Sequence, residues 1–218
     1  MAIFSMNTTV LALLSLGLPL LGMAESATQS DDDADVVRSV LEGDPNAYRG
    51  IVERYQNRIY NVIFGMVRNQ EDARELAQDA FVKAYRNLHT YRLESKFYTW
   101  LCRIAINLSI DWLRKKRIRK TSEFEEGVAA KDSGGSLFEG HEKENPHKNL
   151  ERKQLYSKII SEVEKLPDDQ KQAIVLREID GLSYREIAEI TGVAEGTVMS
   201  RLYYARKKLQ QALKEFRD

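Results

Sequence analysis

The 218-residue chain is predicted to be all-α: two small helical domains joined by a flexible acidic linker, the second containing a helix-turn-helix. Three observations lead there. Beyond residue 35, apolar residues recur at three- and four-residue intervals, and no segment alternates convincingly as a strand. Only 4 prolines and 12 glycines punctuate the chain, fewer than a β-sandwich would use. Charge is segregated although the total is zero: residues 31–120 hold 17 basic and 13 acidic side chains, residues 121–149 hold 3 and 7, and residues 182–218 hold 7 and 5. Two basic blocks flanking an acidic one exclude a uniformly basic protein, yet leave room for dedicated nucleic-acid faces. The domains are drawn at 31–120 and 150–218, with residues 121–149 as the linker.

At the amino terminus, Val10–Leu21 is an apolar run followed by Gly22-Met23-Ala24, which has the look of a signal-peptide core. It is shorter than the roughly 20 apolar residues of a membrane span. No Lys or Arg precedes it, since the first is Arg38, and a chain starting at Met23 would lack the run altogether. Residues 1–30 are therefore taken as a start-site overcall rather than an export signal, and the functional protein as cytoplasmic, with no stable membrane insertion.

Val36, Val37, Val40 and Leu41 make a short amphipathic stretch, and Gly43-Asp44-Pro45 reads as helix stop, N-cap and first helical position. The second helix carries Ile51, Tyr55, Ile59, Val62, Ile63 and Met66. Asn69 is the N-cap of a third, with Ala73, Leu76, Ala77, Ala80, Phe81, Ala84 and Leu88 on its apolar face and Asp72, Glu75, Gln78, Asp79 and Lys83 on the other. After a break at Tyr91–Lys96, a fourth helix places Leu101, Ile104, Ala105, Leu108 and Trp112 on one side. It runs into Arg114–Lys120, where six of seven residues are basic. Residues 121–149 combine Gly127, Gly134, Gly135, Gly140 and Pro146 with acids and serines, the composition of a tether. Helical spacing resumes at Leu155, Ile159, Ile160, Val163 and Leu166, is punctuated by Pro167, and continues through Ala173, Ile174, Leu176 and Ile179 to Gly181.

Ser183 and Glu186 have the spacing of a capping box. Ile187, Ala188 and Ile190 follow as a short apolar face, then Thr191-Gly192-Val193 as a tight turn, then a longer helix burying Val198, Leu202, Ala205 and Leu209. Short helix, glycine turn and longer helix make a helix-turn-helix, whose second helix enters the major groove by its first turns. That helix presents Glu195, Thr197, Ser200 and Arg201, with Arg206, Lys207 and Lys208 further along. Arginine can fork onto guanine or a phosphate, and Ser and Thr can donate to phosphates.

No nucleophile–base pair, P-loop or metal-ligand cluster stands out. Cys102 is the only cysteine, which excludes an intramolecular disulfide and a Cys-rich zinc site; His89, His141 and His147 have no paired helical spacing. No catalytic residue, cofactor or metal is expected.

Two blocks then carry a resemblance. Leu166–Ala188, followed by Gly196-Thr-Val-Met-Ser-Arg-Leu202, closely resembles region 4 of extracytoplasmic-function sigma factors. Asp72–Tyr85 and Phe97–Asn107 resemble region 2 of the same family. Together the likeness covers about residues 35–120 and 150–215. It implies an RNA polymerase subunit without catalytic chemistry that recognises the −10 element by region 2 and the −35 element by region 4. It implies core polymerase (its clamp helices and flap) and promoter DNA as partners, with an anti-sigma factor usual for the family. Asp72, Glu75, Gln78, Asp79 and Lys83 would dock on the clamp. Lys96, Phe97, Tyr98, Trp100, Arg103, Asn107, Asp111, Arg114 and Lys115 would melt and hold the downstream element, because opened bases need aromatic faces and backbones need cations. Glu195, Gly196, Thr197, Ser200, Arg201, Tyr204 and Arg206 would read the upstream element. Two departures stand out: Met199 occupies a position where the family usually has Lys or Arg, and Ala194 replaces the usual Ser or Pro at the start of the helix.

Fully extended, the linker reaches at most about 95–100 Å, and two promoter elements two and a half helical turns apart are separated by roughly 85 Å. The tether therefore suffices. Two other classes remain: a helix-turn-helix regulator that is not a sigma factor, which would need a ligand or phosphoacceptor domain in residues 31–150, and a helical protein-binding adaptor.

Overall fold

A computed structural model describes residues 29–92, 95–125, 155 and 157–214. The apolar run Val10–Leu21 and most of the acidic stretch at 121–149 lie outside the described residues. The chain divides into two compact units, and among the described residues every regular element is helical.

The first unit contains α1 (Gln29–Leu41), a 3₁₀ turn (Pro45–Ala47), α2 (Tyr48–Val67), α3 (Gln70–Arg86), a second 3₁₀ turn (Leu88–Thr90) and α4 (Phe97–Glu125). Helices α2, α3 and α4 pack against one another pairwise. Their core is Ile51, Ile59, Val62, Ile63 and Met66 from α2, Ala73, Ala77, Ala80, Phe81 and Ala84 from α3, and Phe97, Leu101, Cys102, Ala105 and Ile106 from α4. The alanine-rich face of α3 lets its neighbours approach closely, while the aliphatic side chains of α2 fill the space between.

Local signals set the helix ends. Gly43 takes φ +112°, a value that L side chains avoid. The Asp44 carboxylate accepts from the Asn46 amide at 3.0 Å, with Pro45 in the first helical turn. The Asn69 side chain accepts from the Asp72 amide at 3.0 Å and so satisfies one orphan donor of α3. Asn69→Ala should cost about 1 kcal/mol and lower the thermal midpoint of this unit by about 4–8 °C, read by tryptophan fluorescence.

Helix α1 is fastened by a polar contact rather than an apolar seam. Asp33 is buried, the Arg54 guanidinium pairs with it, and the Tyr55 hydroxyl donates to it. Only Val37 of the four expected apolar residues is fully buried, and Leu41 is 55% exposed. The period was right, but α1 has too little partner surface to cover the whole stripe. Tyr48 donates to the Phe81 carbonyl at 2.9 Å. Burial pushes the Tyr48 and Tyr55 phenols well above their ordinary range, and the Asp33 carboxylate reinforces the shift at Tyr55.

Helix α4 differs from its expectation in two respects. Leu101 and Ala105 are buried as expected, but Ile104, Leu108 and Trp112 are only half-buried, and the buried face turns toward Cys102, Ile106 and Ser109. The cause is that α4 packs on both α2 and α3, so its buried arc is wider and rotated. Ser109 satisfies its hydroxyl on the Ala105 carbonyl at 2.9 Å, which makes it acceptable in that arc. The helix also continues to Glu125, beyond the boundary drawn at residue 120.

The second unit contains α5 (157–164), α6 (Asp168–Ile174) continued by a π-helical turn (Val175–Ile179), α7 (Tyr184–Thr191) and α8 (Glu195–Ala212). Ile159, Val163, Leu166, Ile174, Leu176, Ile187, Ile190, Val198, Leu202 and Leu209 form its core. Gly181 (φ +74°) and Gly192 (φ +70°) make the left-handed turns on either side of α7. Among the described residues no helix is long and apolar enough to cross a membrane.

Candidate nucleic-acid interfaces

The fourth helix carries a polar stripe. Arg103, Asn107, Asp111 and Arg114 are all exposed and recur every three or four residues, on the side of α4 opposite Leu101, Ala105 and Cys102. Arg114 lies 3.7 Å from Asp111, a solvent-exposed pair of little energetic consequence. Lys115 is exposed beside them. Trp100, half-buried, begins the same line one turn before Arg103.

Phe97 and Tyr98 are not on that line. They are 1% and 6% exposed, so the expectation that they hold opened bases is corrected: both are core side chains. At the first turn of α4 they face α2, where Tyr55 lies 5.2 Å from Tyr98 and 6.2 Å from Phe97, centroid to centroid. The Arg58 guanidinium covers the Tyr98 ring at 3.8 Å. Phe97 in turn meets Tyr91 edge-on at 5.2 Å and Trp100 at 5.5 Å. Tyr91 donates its hydroxyl to the Ser95 carbonyl at 2.8 Å and so closes the neck of the segment before α4. Lys96 is exposed next to that neck. The aromatic cluster is thus a support, with Tyr91 and Trp100 as its half-buried members.

On α3, Glu75, Gln78, Asp79 and Lys83 are exposed and Asp72 is half-buried at the capped first turn. Sequence reasoning missed two apolar residues within this polar face: Val82 is 47% and Tyr85 43% exposed. Tyr85 leans edge-on against the Tyr48 ring at 5.1 Å. A signal existed, since both fall outside the alanine stripe at helical spacing from Gln78 and Asp79.

In the second unit the capping box forms as spaced. The Ser183 amide donates to Glu186 Oε2 at 2.9 Å, and the Glu186 amide donates to Ser183 Oγ at 3.2 Å. After the Gly192 turn, Ala194 starts α8 without a side-chain cap, as the substitution at that position implies. Val198, Leu202, Ala205 and Leu209 bury one side of α8. Glu195, Gly196, Thr197, Met199, Ser200, Tyr203, Tyr204, Lys207 and Lys208 are exposed. Ser200 commits its proton to the Thr197 carbonyl at 2.9 Å, leaving its oxygen as an acceptor.

The two arginines of this helix are placed differently from expectation. Arg206 donates from Nε (3.1 Å) and Nη2 (2.7 Å) to Glu178 Oε1. Its side chain is 19% exposed and that of Glu178 2%. Burial works against the charge on Arg206, but the hydrogen bonds and charge interactions with Glu178 and, after it, Tyr184 together outweigh it, and the guanidinium pKa is raised. Arg206, expected as a DNA contact, is thus held in an intramolecular ion pair on the flank of α8 that faces the π-helical turn. Arg201 is partly buried, with Nε 3.2 Å from Asp169 Oδ2 on α6. It is not presented as an open fork.

Residues 51–119 match the family description Sigma-70 region 2, and residues 156–209 match Sigma-70, region 4. The chain is 36% identical over 187 residues to the RNA polymerase sigma-H factor of Pseudomonas aeruginosa, covering 84% of this chain and 94% of that protein. It is 38% identical over 179 residues to the ECF RNA polymerase sigma-E factor of Escherichia coli, covering 81% and 92%. Its fold is similar to that of the sigma factor RpoE from Bartonella quintana, solved in complex with the anti-sigma factor NepR, with a TM-score of 0.60, 24% identity, and coverage of 77% of this chain and 96% of that one.

Proposed function

The chain belongs to the extracytoplasmic-function sigma factors of the sigma-70 family, and from that membership we propose how its own residues divide the work of promoter recognition and melting. It is an RNA polymerase sigma factor. It acts in the cytoplasm, contributes no catalytic group, and binds core polymerase and promoter DNA. An anti-sigma factor is a further expected partner, as it is for the Bartonella protein.

The unit of α1–α4 takes the downstream element. Opening DNA leaves bases in need of a face and a backbone in need of counter-charge. Trp100 offers the face, while Arg103, Asn107, Asp111, Arg114 and Lys115 line the path of a strand along α4. The acidic face of α3, centred on Glu75 and Asp79 with Val82 and Tyr85 beside them, docks on the clamp helices. The unit of α5–α8 takes the upstream element by the exposed first turns of α8 and meets the flap. The observation that carries this reading is the exposed line Arg103–Asn107–Asp111–Arg114, continued by half-buried Trp100, on one side of a helix whose other side is core.

Run-off transcription with purified core polymerase tests it. Addition of this protein should confer initiation on core at a selected promoter. Charge reversal of Glu75 and Asp79 together should abolish initiation by preventing holoenzyme formation. A helix-turn-helix regulator that is not a sigma factor would leave core inactive.

A further inference from the structure

We propose that Met199 makes the upstream element selective for a thymine, by packing its thioether against the thymine C5-methyl group in the major groove. This rests on the reading of α8 as the groove-entering helix. On the outer side of its first three turns, the exposed residues are Glu195, Gly196, Thr197, Met199, Ser200, Tyr203 and Tyr204. Both arginines of α8 are engaged elsewhere, Arg201 with Asp169 and Arg206 with Glu178. The side chains that first meet base edges are therefore mostly neutral, and the first cations on the open face are Lys207 and Lys208, more than three turns into the helix.

Met199 is 50% exposed and Tyr203, one turn later on the same side, 60%. Gly196, one turn earlier, adds no bulk: a Cβ built there would meet nothing within 4 Å. The backbone there can approach a groove closely, which brings the second turn within reach of base edges. Methionine is unbranched and adaptable, and the thymine methyl is the apolar group that the major groove displays. A lysine or arginine at this position would seek guanine or a phosphate instead. The apolar side chains on this face are interleaved with Glu195, Thr197 and Ser200 and followed by lysines, a pattern that suits a polar groove bounded by phosphates better than an apolar protein surface.

The test uses holoenzyme assembled from core polymerase and the full chain. Upstream elements are first selected from duplexes randomised in that region. Each thymine of the selected element is then replaced by uracil, which removes only the methyl. At one position the replacement should weaken wild-type binding about fourfold, the worth of one buried methyl. Met199→Ala should bind the thymine duplex about fourfold less well and should not distinguish thymine from uracil there. The exposed position keeps folding out of the comparison, and an unchanged thermal midpoint checks this. Wild-type indifference to uracil at every thymine would overturn the proposal, as would a Met199→Ala variant that keeps full uracil sensitivity. Unchanged DNA ranking by Met199→Ala would instead assign the side chain to a protein partner. Failure to select any upstream element would overturn the underlying reading of α8 as well.

Discussion

Arg206→Ala is expected to destabilise the second unit by about 3–5 kcal/mol, because it strands Glu178 as a buried, uncompensated charge. The Glu178 side chain is 2% exposed, Arg206 meets its Oε1, and its Oε2 has no hydrogen-bond partner among the described residues. Replacing both residues by methionine should restore most of the loss, since an apolar pair of similar volume removes the cost of desolvation along with the attraction. Both tryptophans, Trp100 and Trp112, lie in α4 of the first unit. Tryptophan fluorescence should therefore report an unchanged urea midpoint, while far-UV circular dichroism shows an earlier transition for Arg206→Ala alone. Upstream-element binding should fall with that transition and recover in the double variant. Full stability of Arg206→Ala with loss of DNA binding would return Arg206 to the DNA interface.

The second large effect separates support from contact in the first unit. Phe97→Ala should cost about 3–5 kcal/mol, the usual range for an aromatic removed from a closed core, and should move the tryptophan transition. The combined Lys96→Ala, Arg103→Ala and Asn107→Ala variant removes only exposed side chains and should leave that transition in place. It should nevertheless impair open-complex formation on duplex promoters, read by permanganate reactivity of the melted thymines. A template carrying a pre-formed bubble should largely rescue it if these residues act in opening alone, and only partly if they also hold a displaced base. Normal opening by the stable triple variant would move the melting function to another part of the chain.

Where a feature depends on neighbours within four residues, the sequence shows it. The Asn69 and Asp44 caps, the Ser183–Glu186 box, the Gly192 turn and the buried set Val198, Leu202, Ala205 and Leu209 all follow from short spacings. The polar stripe of α4 is equally local, a period read directly off residues 103 to 114. What the spacing does not show are side chains whose partner lies far away along the chain. Arg206 meets Glu178 28 residues earlier, and Arg201 meets Asp169 across a similar gap. No spacing rule distinguishes such an arginine from one that faces DNA. Phe97 and Tyr98 fail for a related reason. An aromatic pair at the start of a basic helix fits both a base platform and a core, and only the position of Tyr55, Tyr91 and Arg58 decides between them. Leu41 shows the converse: the helical period marks a potential face, but burial requires something to pack on it.

The wide turn at Val175–Ile179 makes the second unit sensitive to chain length as well as to composition. A π-helical stretch holds more residues per turn than the 3.6 of an α-helix. Deleting one residue there would let the segment regularise to α-helical winding while the side chains beyond the cut kept roughly their present phase, because the wide turn already absorbs about one residue in excess. The change would fall on Glu178, which lies inside that stretch and whose carboxylate would be re-aimed relative to Arg206. A single-residue deletion in this segment should accordingly disturb the charge pair more than the core, whereas the same deletion in a regular α-helix would turn every side chain beyond it by about 100°.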